Sequence, residues 1–395
     1  MYIIGEEEIQ AVRRVIESGQ LFRYRGGEGG ETDAFEKEWS EQIGVKHSIV
    51  VTSGTAALIC ALAGLGIGPG DEVIVPAYTF MASPVAVLAV GAIPIIAEID
   101  ESLGIDSADV ERKITPRTKA VMPVHMCGFP ANMDAVMAIA NKHGIKVVED
   151  CCQADGGSYK GRRLGSIGHA GGFSFNHFKI LSCGEGGAVT TNDDDTYYRA
   201  LVYHDGGCAF RDHAAEVSVP FFAGSNFRMN EILSAILRVQ LTRLEGILSA
   251  LRAEKRTMME ELANETAFTF NPINDIEGDC GSTLGLFFES EAAARAFMGK
   301  AGENGVGCGS PIDSGIHVYH RWEPILKQSG SYHPKLDAYK LTDVKYEYSE
   351  DMCPKTLEYL ARTVYLGTGI NRSREDLMGM IAGVKKSAAE MKVTV

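Results

Sequence analysis

Lys179 and Asp150 are the residues of this sequence with the clearest potential for chemistry. Lys179 lies between two apolar runs, with aromatic residues before it and the glycine-rich stretch 184–187 after it. Burial there would favour the neutral amine, which is a nucleophile. Asp150 ends another apolar run, where a carboxylate is costly unless a partner such as a protonated pyridine nitrogen compensates it. The ordinary alternatives are a surface lysine in a hairpin-like loop and an aspartate that caps the next loop.

Two further segments offer groups that suit a phosphate and a flat ring. The turn 52–58 is small and rich in hydroxyl groups, and it opens a predicted helix, so its backbone N–H groups and the helix dipole favour an anion. An ordinary helix cap made by Ser53 or Thr55 is the alternative. The segment 76–80 contains Tyr78 and Phe80, which would either stack on a ring or pack in the core.

The hydrophobic pattern predicts the elements that position these groups. Short runs rich in Val and Ile alternate with segments whose apolar residues are three and four apart, which indicates alternating strands and helices. This alternation is typical of a mostly parallel α/β sheet covered on both faces, in which ligands bind at the carboxyl ends of the strands. The predicted strands are Ser48–Thr52, Glu72–Pro76, Ile93–Ile99, Lys119–Val124, Ile145–Glu149, Gly172–Phe175 and Gly187–Thr191. The helices predicted in this half are Glu6–Ser18, Thr55–Ala63, Ser83–Val90 and Met133–His143.

The pattern changes after residue 230. Residues 230–262 predict one long helix with a break near Gly246, and a mixed region follows it. That region has predicted strands and helices at Ala267–Phe270, Thr283–Phe288, Ala292–Asn304, Pro354–Arg362 and Arg374–Lys386. Since 395 residues are too many for one compact core, we predict a large α/β domain over residues 1–245 and a smaller α+β domain over residues 246–395.

Composition restricts the classes of function. The formal net charge of −14 disfavours nucleic acid as a partner, because phosphate backbones are bound by clustered Lys and Arg. Nine cysteines, with Cys151 and Cys152 adjacent in an apolar run, indicate reduced thiols in a cytoplasmic protein. Neither a signal peptide nor a membrane-spanning segment is expected, and the spacing of His and Cys predicts no metal site.

Together the four segments provide a phosphate-binding turn, a ring for stacking, an acid and an amine at successive strand ends. These are the groups that pyridoxal phosphate (PLP) requires. Other templates fit less well. The glycine-rich segment 64–70 follows a helix and precedes a strand, which is the reverse of a dinucleotide-binding motif and indicates a helix end. Neither the P-loop sequence nor Gly-x-Ser-x-Gly occurs.

The sequence resembles the DegT/DnrJ/StrS-type family of sugar aminotransferases, which have the type I aspartate-aminotransferase fold. The resemblance extends from about residue 21 to the C-terminus. The motifs that carry it are Ser53–Leu58, Gly70–Ile74, Pro123–His125, Glu149-Asp150, Ser174-Phe175 with Lys179, Gly184–Val189 and Asn226–Met229. It implies that Lys179 holds PLP as a Schiff base and that Asp150 binds the pyridine nitrogen.

The same resemblance implies roles for other residues. Gln153 would face the phenolic oxygen of the ring, and Phe80 would stack on the ring. The residues expected at the phosphate are Ser53, Gly54, Thr55, Ser174 and, from the neighbouring subunit, Asn226. Members of the family work as dimers with shared active sites, so we expect a homodimer.

The resemblance also implies a reaction, the transfer of an amino group from glutamate to a keto or aldehydo sugar, in biosynthesis of surface polysaccharide such as lipopolysaccharide or of secondary metabolites. Candidates for holding a carboxylate of donor or substrate are Arg23, Arg25, Arg228 and His317, each of which would otherwise be a surface or structural residue. Segments 21–26, 125–126 and 352–355 look most like transaminases that aminate carbon 8 of an octulosonate sugar. Inositol-type and nucleotide-sugar aminotransferases are the alternatives, because the family often has His where this chain has Asn176 and a Thr/Gly-rich start where it has residues 21–25.

Two other functions remain open for this fold. One is a regulatory protein that binds PLP without transferring anything. The other is a cysteine desulfurase, which needs a reactive thiol on a mobile loop, with Cys183 and Cys208 as candidates. A dehydratase branch of the family has His in place of the lysine, and Lys179 argues against it.

Overall fold

A sheet of seven strands forms the centre of the computed structural model, which describes residues 2–24, 29–208 and 216–391. The strands of the chain are β1 His47–Val51, β2 Glu72–Pro76, β3 Ile93–Ala97, β4 Thr118–Val121, β5 Lys146–Asp150, β6 Ser158–Tyr159, β7 Arg162–Arg163, β8 Ala170–Ser174, β9 Gly187–Thr191, β10 Thr269–Phe270, β11 Thr283–Phe287 and β12 Thr363–Gly367. The central sheet has the order β1-β9-β8-β5-β4-β2-β3. All pairs in it are parallel except those of β9, which is antiparallel to β1 and β8. The predicted seven-stranded, mostly parallel sheet is therefore confirmed.

Burial explains why these strands follow the predicted runs. All five residues of β2 and of β9 are buried, as expected for strands covered on both faces. In register, Ile74 of β2 pairs with Ile95 of β3, and Glu149 of β5 pairs with Gly171 of β8. Since β1, β2, β4, β5 and β8 all point the same way, their carboxyl ends lie at one edge of the sheet.

The helices cover the sheet and continue beyond it. They are α1 Glu6–Ser18, α2 Glu31–Ile43, α3 Gly54–Gly64, α4 Ala82–Ala89, α5 Ser107–Lys113, α6 Met133–His143, α7 Asp194–His204, α8 Glu231–Leu241, α9 Leu244–Leu262, α10 Glu291–Glu303, α11 Glu323–Leu326, α12 Pro354–Arg362 and α13 Arg374–Met391. Helix α2 is not predicted from the sequence, although Phe35, Trp39 and Ile43 recur every four residues and are buried. Charged residues that fill the positions between them weaken the pattern. Within the described ranges, every helix is too short or too polar to cross a membrane.

The predicted break in the long helix is present, three to four residues before Gly246. Thr242 and Arg243 separate α8 from α9 while keeping right-handed helical φ and ψ. There the hydroxyl group of Thr242 donates to the carbonyl oxygen of Val239, and the N–H of Arg243 donates to Gln240 three residues back, so the last turn tightens. Gly246 lies in the first turn of α9, faces open space and leaves the helix intact.

A second core lies around the antiparallel sheet β10-β11-β12, against which α9, α10 and α13 pack. Helix α9 belongs to both cores. Its residues Leu244 to Leu251 pack with the large sheet, whereas Met258 and Leu262 pack with the small one. One helix thus connects the two cores, and the predicted domain boundary at residues 245 and 246 stays a prediction.

Candidate active site

A cavity of about 730 Å³ lies at the edge of the sheet where the parallel strands end. Nine of the residues predicted to bind a cofactor or substrate line it: Ser53, Gly54, Thr55, Phe80, Asp150, Gln153, Ser174, Lys179 and His317. They come from segments that follow β1, β2, β5 and β8 and from the chain near residue 317. The tertiary structure therefore brings most of the predicted site together in one place.

Asp150 is a buried carboxylate at the end of β5, with 4% of its surface exposed. Ser83 donates its hydroxyl to Oδ2 at 2.7 Å, and the N–H of Cys152 donates to Oδ1 at 3.1 Å. Thr79 lies behind Ser83, with 2.6 Å between the two hydroxyl oxygens. In the parts of the chain that the structure describes, no cation forms an ion pair with this carboxylate. Because a buried carboxylate without a positive partner is costly, the cavity offers a place where a cationic group would be stabilised.

Lys179 lines the same cavity from the loop between β8 and β9. The loop is closed on itself by backbone hydrogen bonds from Lys179 to Asn176, from His177 to Gly184 and from Cys183 to Phe175, of 3.0 to 3.1 Å. Gly184 has a φ of 96°, which suits glycine and lets the chain turn back into β9. The half-buried lysine is thus held on a short, ordered loop beside Asp150.

The N-terminus of α3 forms the part of the cavity that suits an anion. Ser53 is the N-cap residue, since its hydroxyl oxygen accepts the N–H of Ala56 at 3.1 Å. Within the described ranges, the N–H groups of Gly54 and Thr55 have no protein acceptor, and they lie at the positive end of the helix dipole. The capping role and the anion-binding role of this turn are compatible, because they use different N–H groups.

Gly54 leaves no room for a side chain at this helix terminus. A Cβ atom built on it would lie 2.7 Å from Cβ of Ser174 and 2.9 Å from Sγ of Cys152. We expect Gly54→Ala to push these walls apart and to weaken PLP binding by about 10-fold, an overpacking cost of about 1–3 kcal/mol. Fluorescence titration of the cofactor-free protein with PLP measures this affinity.

A matched control for Gly54→Ala is Gly246→Ala, which adds the same methyl group in the first turn of α9 where nothing lies within 4 Å. That control should leave PLP affinity unchanged and stabilise the helix by up to about 1 kcal/mol. An unchanged affinity in Gly54→Ala would show that the cofactor phosphate does not approach this helix terminus.

Two rings face the cavity from distant parts of the chain. Phe80 is 42% exposed, and its ring centre lies 5.5 Å from that of His317. The N–H of Thr79 donates to the carbonyl oxygen of His317 at 2.9 Å, which ties the two segments together. Burial and the positive charge of Lys179 both lower the pKa of His317, so its imidazole is neutral at pH 7. Tyr78, by contrast, is buried in the core with its hydroxyl 3.1 Å from that of Tyr365.

Gln153 has a fixed amide orientation. Its Oε1 accepts the N–H of Cys127 at 3.0 Å, so its NH2 group is left as a donor on the cavity side of the amide. The carbonyl oxygen of Cys127 accepts the hydroxyl of Ser282 at 2.7 Å, which holds the donor residue of this contact in place. An NH2 donor at this position suits a phenolic oxygen.

Two predicted arginines lie outside the cavity lining. Arg23 is buried, forms an ion pair with Glu36 and donates to the carbonyl oxygen of Val50 at 3.1 Å, which makes it part of the core. Arg228 forms an ion pair of 2.6 Å with Asp205. Neither arginine lines the cavity, and ion pairs with Glu36 and Asp205 hold their guanidinium groups elsewhere. Local sequence does not reveal this, since both partners are far away in the chain.

The roles predicted for Asn226 and Arg25 are not tested by the structure of a single chain. Asn226 is exposed, and its Oδ1 accepts the N–H of Arg228 at 3.3 Å. Its predicted contact with a neighbouring subunit stays a prediction. Arg25 lies outside the described residues.

Several groups at the site are not predicted from the sequence. Ser83 reaches Asp150 from the first turn of α4, where no motif marks it. The cavity wall also contains Thr79, Cys127, Phe178, Ser282 and Ile316. Of these, Phe178 could have been recognised, because it is adjacent to Lys179 in the sequence.

The structure also brings together three potential metal ligands, His125, Glu149 and Cys151, all buried. The lone pairs of Glu149 and His125 are already in use. The carboxylate of Glu149 accepts the N–H groups of Gly165, Ile167 and Gly168, and Nδ1 of His125 accepts the N–H of Ala131. The remaining proton on Nε2 of His125 therefore points to Glu149, 3.3 Å away. The cluster is best described as a hydrogen-bonded network that fixes β5.

Comparison with known proteins identifies a family. The family model described as the DegT/DnrJ/EryC1/StrS aminotransferase family matches residues 2–324. The chain is 38% identical over 325 residues to 3-amino-5-hydroxybenzoate synthase of Amycolatopsis mediterranei, covering 80% of this chain and 82% of that protein. It is 42% identical over 249 residues to dTDP-3-amino-3,4,6-trideoxy-alpha-D-glucose transaminase of Streptomyces venezuelae, covering 62% of this chain and 63% of that protein. The alignment thus spans less than two thirds of the Streptomyces enzyme.

A solved structure gives the same picture. The structure of S. venezuelae DesV in complex with a ketimine intermediate superimposes with a TM-score of 0.79 at 30% identity, covering 97% of this chain and 94% of that one. The predicted fold, that of the PLP-dependent aminotransferases, is therefore confirmed.

Proposed function

The chain belongs to the DegT/DnrJ/EryC1/StrS aminotransferase family, and on that premise we propose that it is a PLP-dependent transaminase that moves an amino group from L-glutamate to a keto or aldehydo sugar. One observation carries the proposal. Lys179 and the uncompensated carboxylate of Asp150 line one cavity that the open N-terminus of α3 also lines.

The residues present fit PLP. When bound, PLP supplies an aldehyde that bonds to amines and a ring that accepts electrons. Asp150 would hold the ring nitrogen in its protonated form, which resolves the cost of burying this carboxylate. The N–H groups of Gly54 and Thr55 would bind the phosphate, and the NH2 group of Gln153 would donate to the phenolic oxygen.

Lys179 would serve two purposes. Its amine would bond the cofactor in the resting enzyme. Once an amino donor displaces it, Nζ would accept the proton from the α-carbon of the donor and pass it to the cofactor carbon. In the second half of the reaction it would move a proton in the opposite direction, from the cofactor carbon to the sugar carbon that gains the amino group. The hydroxyl chain from Thr79 through Ser83 to Asp150 would keep that carboxylate oriented throughout.

The same cavity gives less support to a cysteine desulfurase. Cys183 does not line it, and burial raises the pKa of its thiol to about 12, so the reactive thiolate is disfavoured. All nine cysteines are free, which supports the proposal of a cytoplasmic location.

The charge of the cavity supports a homodimer. Among the described residues that line it, Lys179 is the one lysine or arginine, although glutamate carries two carboxylates. Groups that bind these carboxylates would have to come from outside this set. A second copy of the chain is the source we propose, with Asn226 exposed and available to reach across to the phosphate of its neighbour.

The sugar is proposed more narrowly from the sequence segments 21–26, 125–126 and 352–355, which favour an octulosonate and hence lipopolysaccharide biosynthesis. The relative from S. venezuelae carries a dTDP-linked sugar in its name. A nucleotide-linked keto sugar is therefore the main alternative, and an inosose is the next.

The test is to follow the visible absorbance of the purified, PLP-loaded protein during addition of L-glutamate. We expect the band of the lysine-bound cofactor to disappear and one equivalent of 2-oxoglutarate to form. Octulosonate, nucleotide-linked keto sugars and inosose are then added separately, and mass spectrometry identifies the aminated product. If the band responds to no amino donor, we would conclude that the chain is a regulatory protein that binds PLP and not a transaminase. Amination of a substrate other than octulosonate would correct only the sugar.

A further inference from the structure

Cys127, in the wall of the cavity, has a backbone conformation that side-chain-bearing residues rarely adopt. Its φ is 52° and its ψ is 24°, and Gly128 follows it with a φ of 79°. Glycine is unstrained in this left-handed region, whereas a residue with a Cβ atom is strained there. Such strain persists only where the surrounding structure imposes it. Contacts with the rest of the chain must therefore hold Cys127 in this conformation.

The segment that leads into β11 provides these contacts. The hydroxyl of Ser282 donates to the carbonyl oxygen of Cys127 at 2.7 Å, and the N–H of Cys280 donates to that of Gly128 at 3.1 Å. A Cβ atom built on Gly128 would lie 2.5 Å from Cβ of Cys280, so the two segments approach as closely as glycine permits. Two consecutive carbonyl groups are thus directed at one segment of the chain.

Ser282 is itself held by other elements. Its own carbonyl oxygen accepts the N–H of Thr368 at 3.2 Å, and the hydroxyl of Thr368 donates to the carbonyl oxygen of Gly281 at 2.7 Å. Asp279 accepts the N–H of Gly281 at 2.6 Å and forms a buried ion pair of 2.7 Å with Lys255 of α9. Ser282 is 9% exposed and therefore has a fixed place in the wall of the cavity.

The strained residue is connected to the cavity through Gln153. The N–H of Cys127 donates to Oε1 of Gln153 at 3.0 Å, so the NH2 group is the part of this amide that can donate into the cavity. The angles φ and ψ set the direction of the N–H of a residue relative to its carbonyl group. A change of Cys127 to right-handed values would therefore break its hydrogen bond to Gln153 or that from Ser282.

We propose that Ser282 is a positioning residue for Gln153, which it orients by holding Cys127 in the left-handed conformation. Gln153 then presents its NH2 group, and not its oxygen, to the place where the phenolic oxygen of PLP would lie. That oxygen is negative in the bound cofactor, so a donor stabilises it and an amide oxygen would repel it. No covalent bond changes in this step. The proposal rests on the proposed function only in taking Gln153 to face PLP that is bonded to Lys179.

The experiment measures the pH midpoint at which the visible band of the lysine-bound cofactor changes, in the full-length, PLP-loaded protein without an amino donor. The phenolic oxygen shares a proton with the nitrogen that Lys179 supplies, and a donor to this oxygen weakens its hold on the proton. Loss of the donor should therefore raise the midpoint. We expect Gln153→Leu to raise it by about 1 unit, which corresponds to one hydrogen bond to a charged group, and Ser282→Ala by about 0.5 unit.

The double variant tests whether Ser282 acts through Gln153. Adding Ser282→Ala to Gln153→Leu should leave the midpoint unchanged, because no amide remains to be oriented. Ser310 provides a matched control, since it is also buried and donates to the carbonyl oxygen of Leu360 at 3.1 Å outside the cavity. Ser310→Ala should therefore not shift the midpoint. The titratable side chains that line the cavity are the same in all these variants, so their effects cancel. They are Cys127, Asp150, Cys152, Lys179, Glu185 and His317.

A second measurement needs no cofactor. In a crystal structure of cofactor-free Ser282→Ala we expect Cys127 to leave the left-handed region and its N–H to lose Oε1 of Gln153. If Ser282→Ala does not fold, Ser282→Cys, whose thiol is a weak donor, takes its place in both measurements.

Three results would overturn the proposal. They are a positive φ at Cys127 together with an intact contact to Gln153, a midpoint that Ser282→Ala does not move, and an equal shift with and without Gln153. A missing visible band, or one that no amino donor changes, would contradict the proposed function instead. The crystal structure would then still decide whether Ser282 positions Gln153.

Discussion

Lys179→Ala is expected to lower the rate of amino-group transfer from glutamate by at least about 10⁴-fold, because it removes both the amine that bonds PLP and the base that moves the α-proton. Lys179→Arg should be equally inactive. A guanidinium group keeps the positive charge of the loop but cannot act as a neutral nucleophile. Single-turnover formation of 2-oxoglutarate by the PLP-loaded protein measures the effect.

A matched lysine provides the control for this result. Lys142 is exposed, pairs with Glu111 on the surface and lies outside the cavity lining, so Lys142→Ala should keep full activity. Borohydride reduction followed by peptide mass spectrometry should place the cofactor on Lys179 in the wild type. Turnover of Lys179→Ala within about 10-fold of the wild type would show that another group carries the chemistry.

Asp150→Asn is expected to lower transfer by about 10³-fold while PLP still binds, since removing one preorganised charge at a reacting group typically costs about 10²–10³-fold. Asparagine retains an acceptor for the hydroxyl of Ser83 but no charge to keep the ring nitrogen protonated. Steady-state production of 2-oxoglutarate measures the rate, and the visible absorbance of the bound cofactor measures its retention. Ser83→Ala should show a smaller loss, of about 10-fold, because it only orients the carboxylate.

A second buried aspartate, Asp109, provides the control, because its charge lies in the core and not at the site. Asp109 accepts the N–H of Glu98 at 2.7 Å and pairs with Arg112, away from the cavity. Asp109→Asn should lower the unfolding midpoint and leave the transfer rate of the folded protein unchanged. If Asp150→Asn behaved in the same way, Asp150 would be a structural residue and the proposed partner of the ring nitrogen would be wrong.

Much of the large sheet can be predicted from local sequence. Strands β2 and β9 have the predicted bounds because both of their faces are buried, which leaves runs of apolar residues with polar residues or glycine at the ends. Helices α1, α6 and α12 also have the predicted bounds. Helix α2, in which charged residues separate the buried apolar ones, is not predicted. The break in the long helix is predicted, but it lies three to four residues earlier because the side chain of Thr242, and not a glycine, ends α8.

The candidate site also has a part that local sequence predicts and a part that it does not. Asp150 and Ser174 end strands, Gly54 and Lys179 follow strands within three and five residues, and parallel strands bring such positions to one edge. Their meeting therefore requires only the order of elements along the chain. Ser83 and His317 reach the same cavity through contacts that no periodicity encodes.

By itself, the sequence determined the central sheet, the positions of the amine and the acid at strand ends, and hence the cofactor that these groups require. Only the tertiary structure decided that Arg23 is held in the core by Glu36, that His317 faces Phe80, and that Ser282 donates to the carbonyl oxygen of Cys127. The physical reason is the separation along the chain between the residues that interact. Strand ends are set by neighbours within a few residues, whereas the charge and burial of a side chain depend on groups that meet it only after the chain has folded.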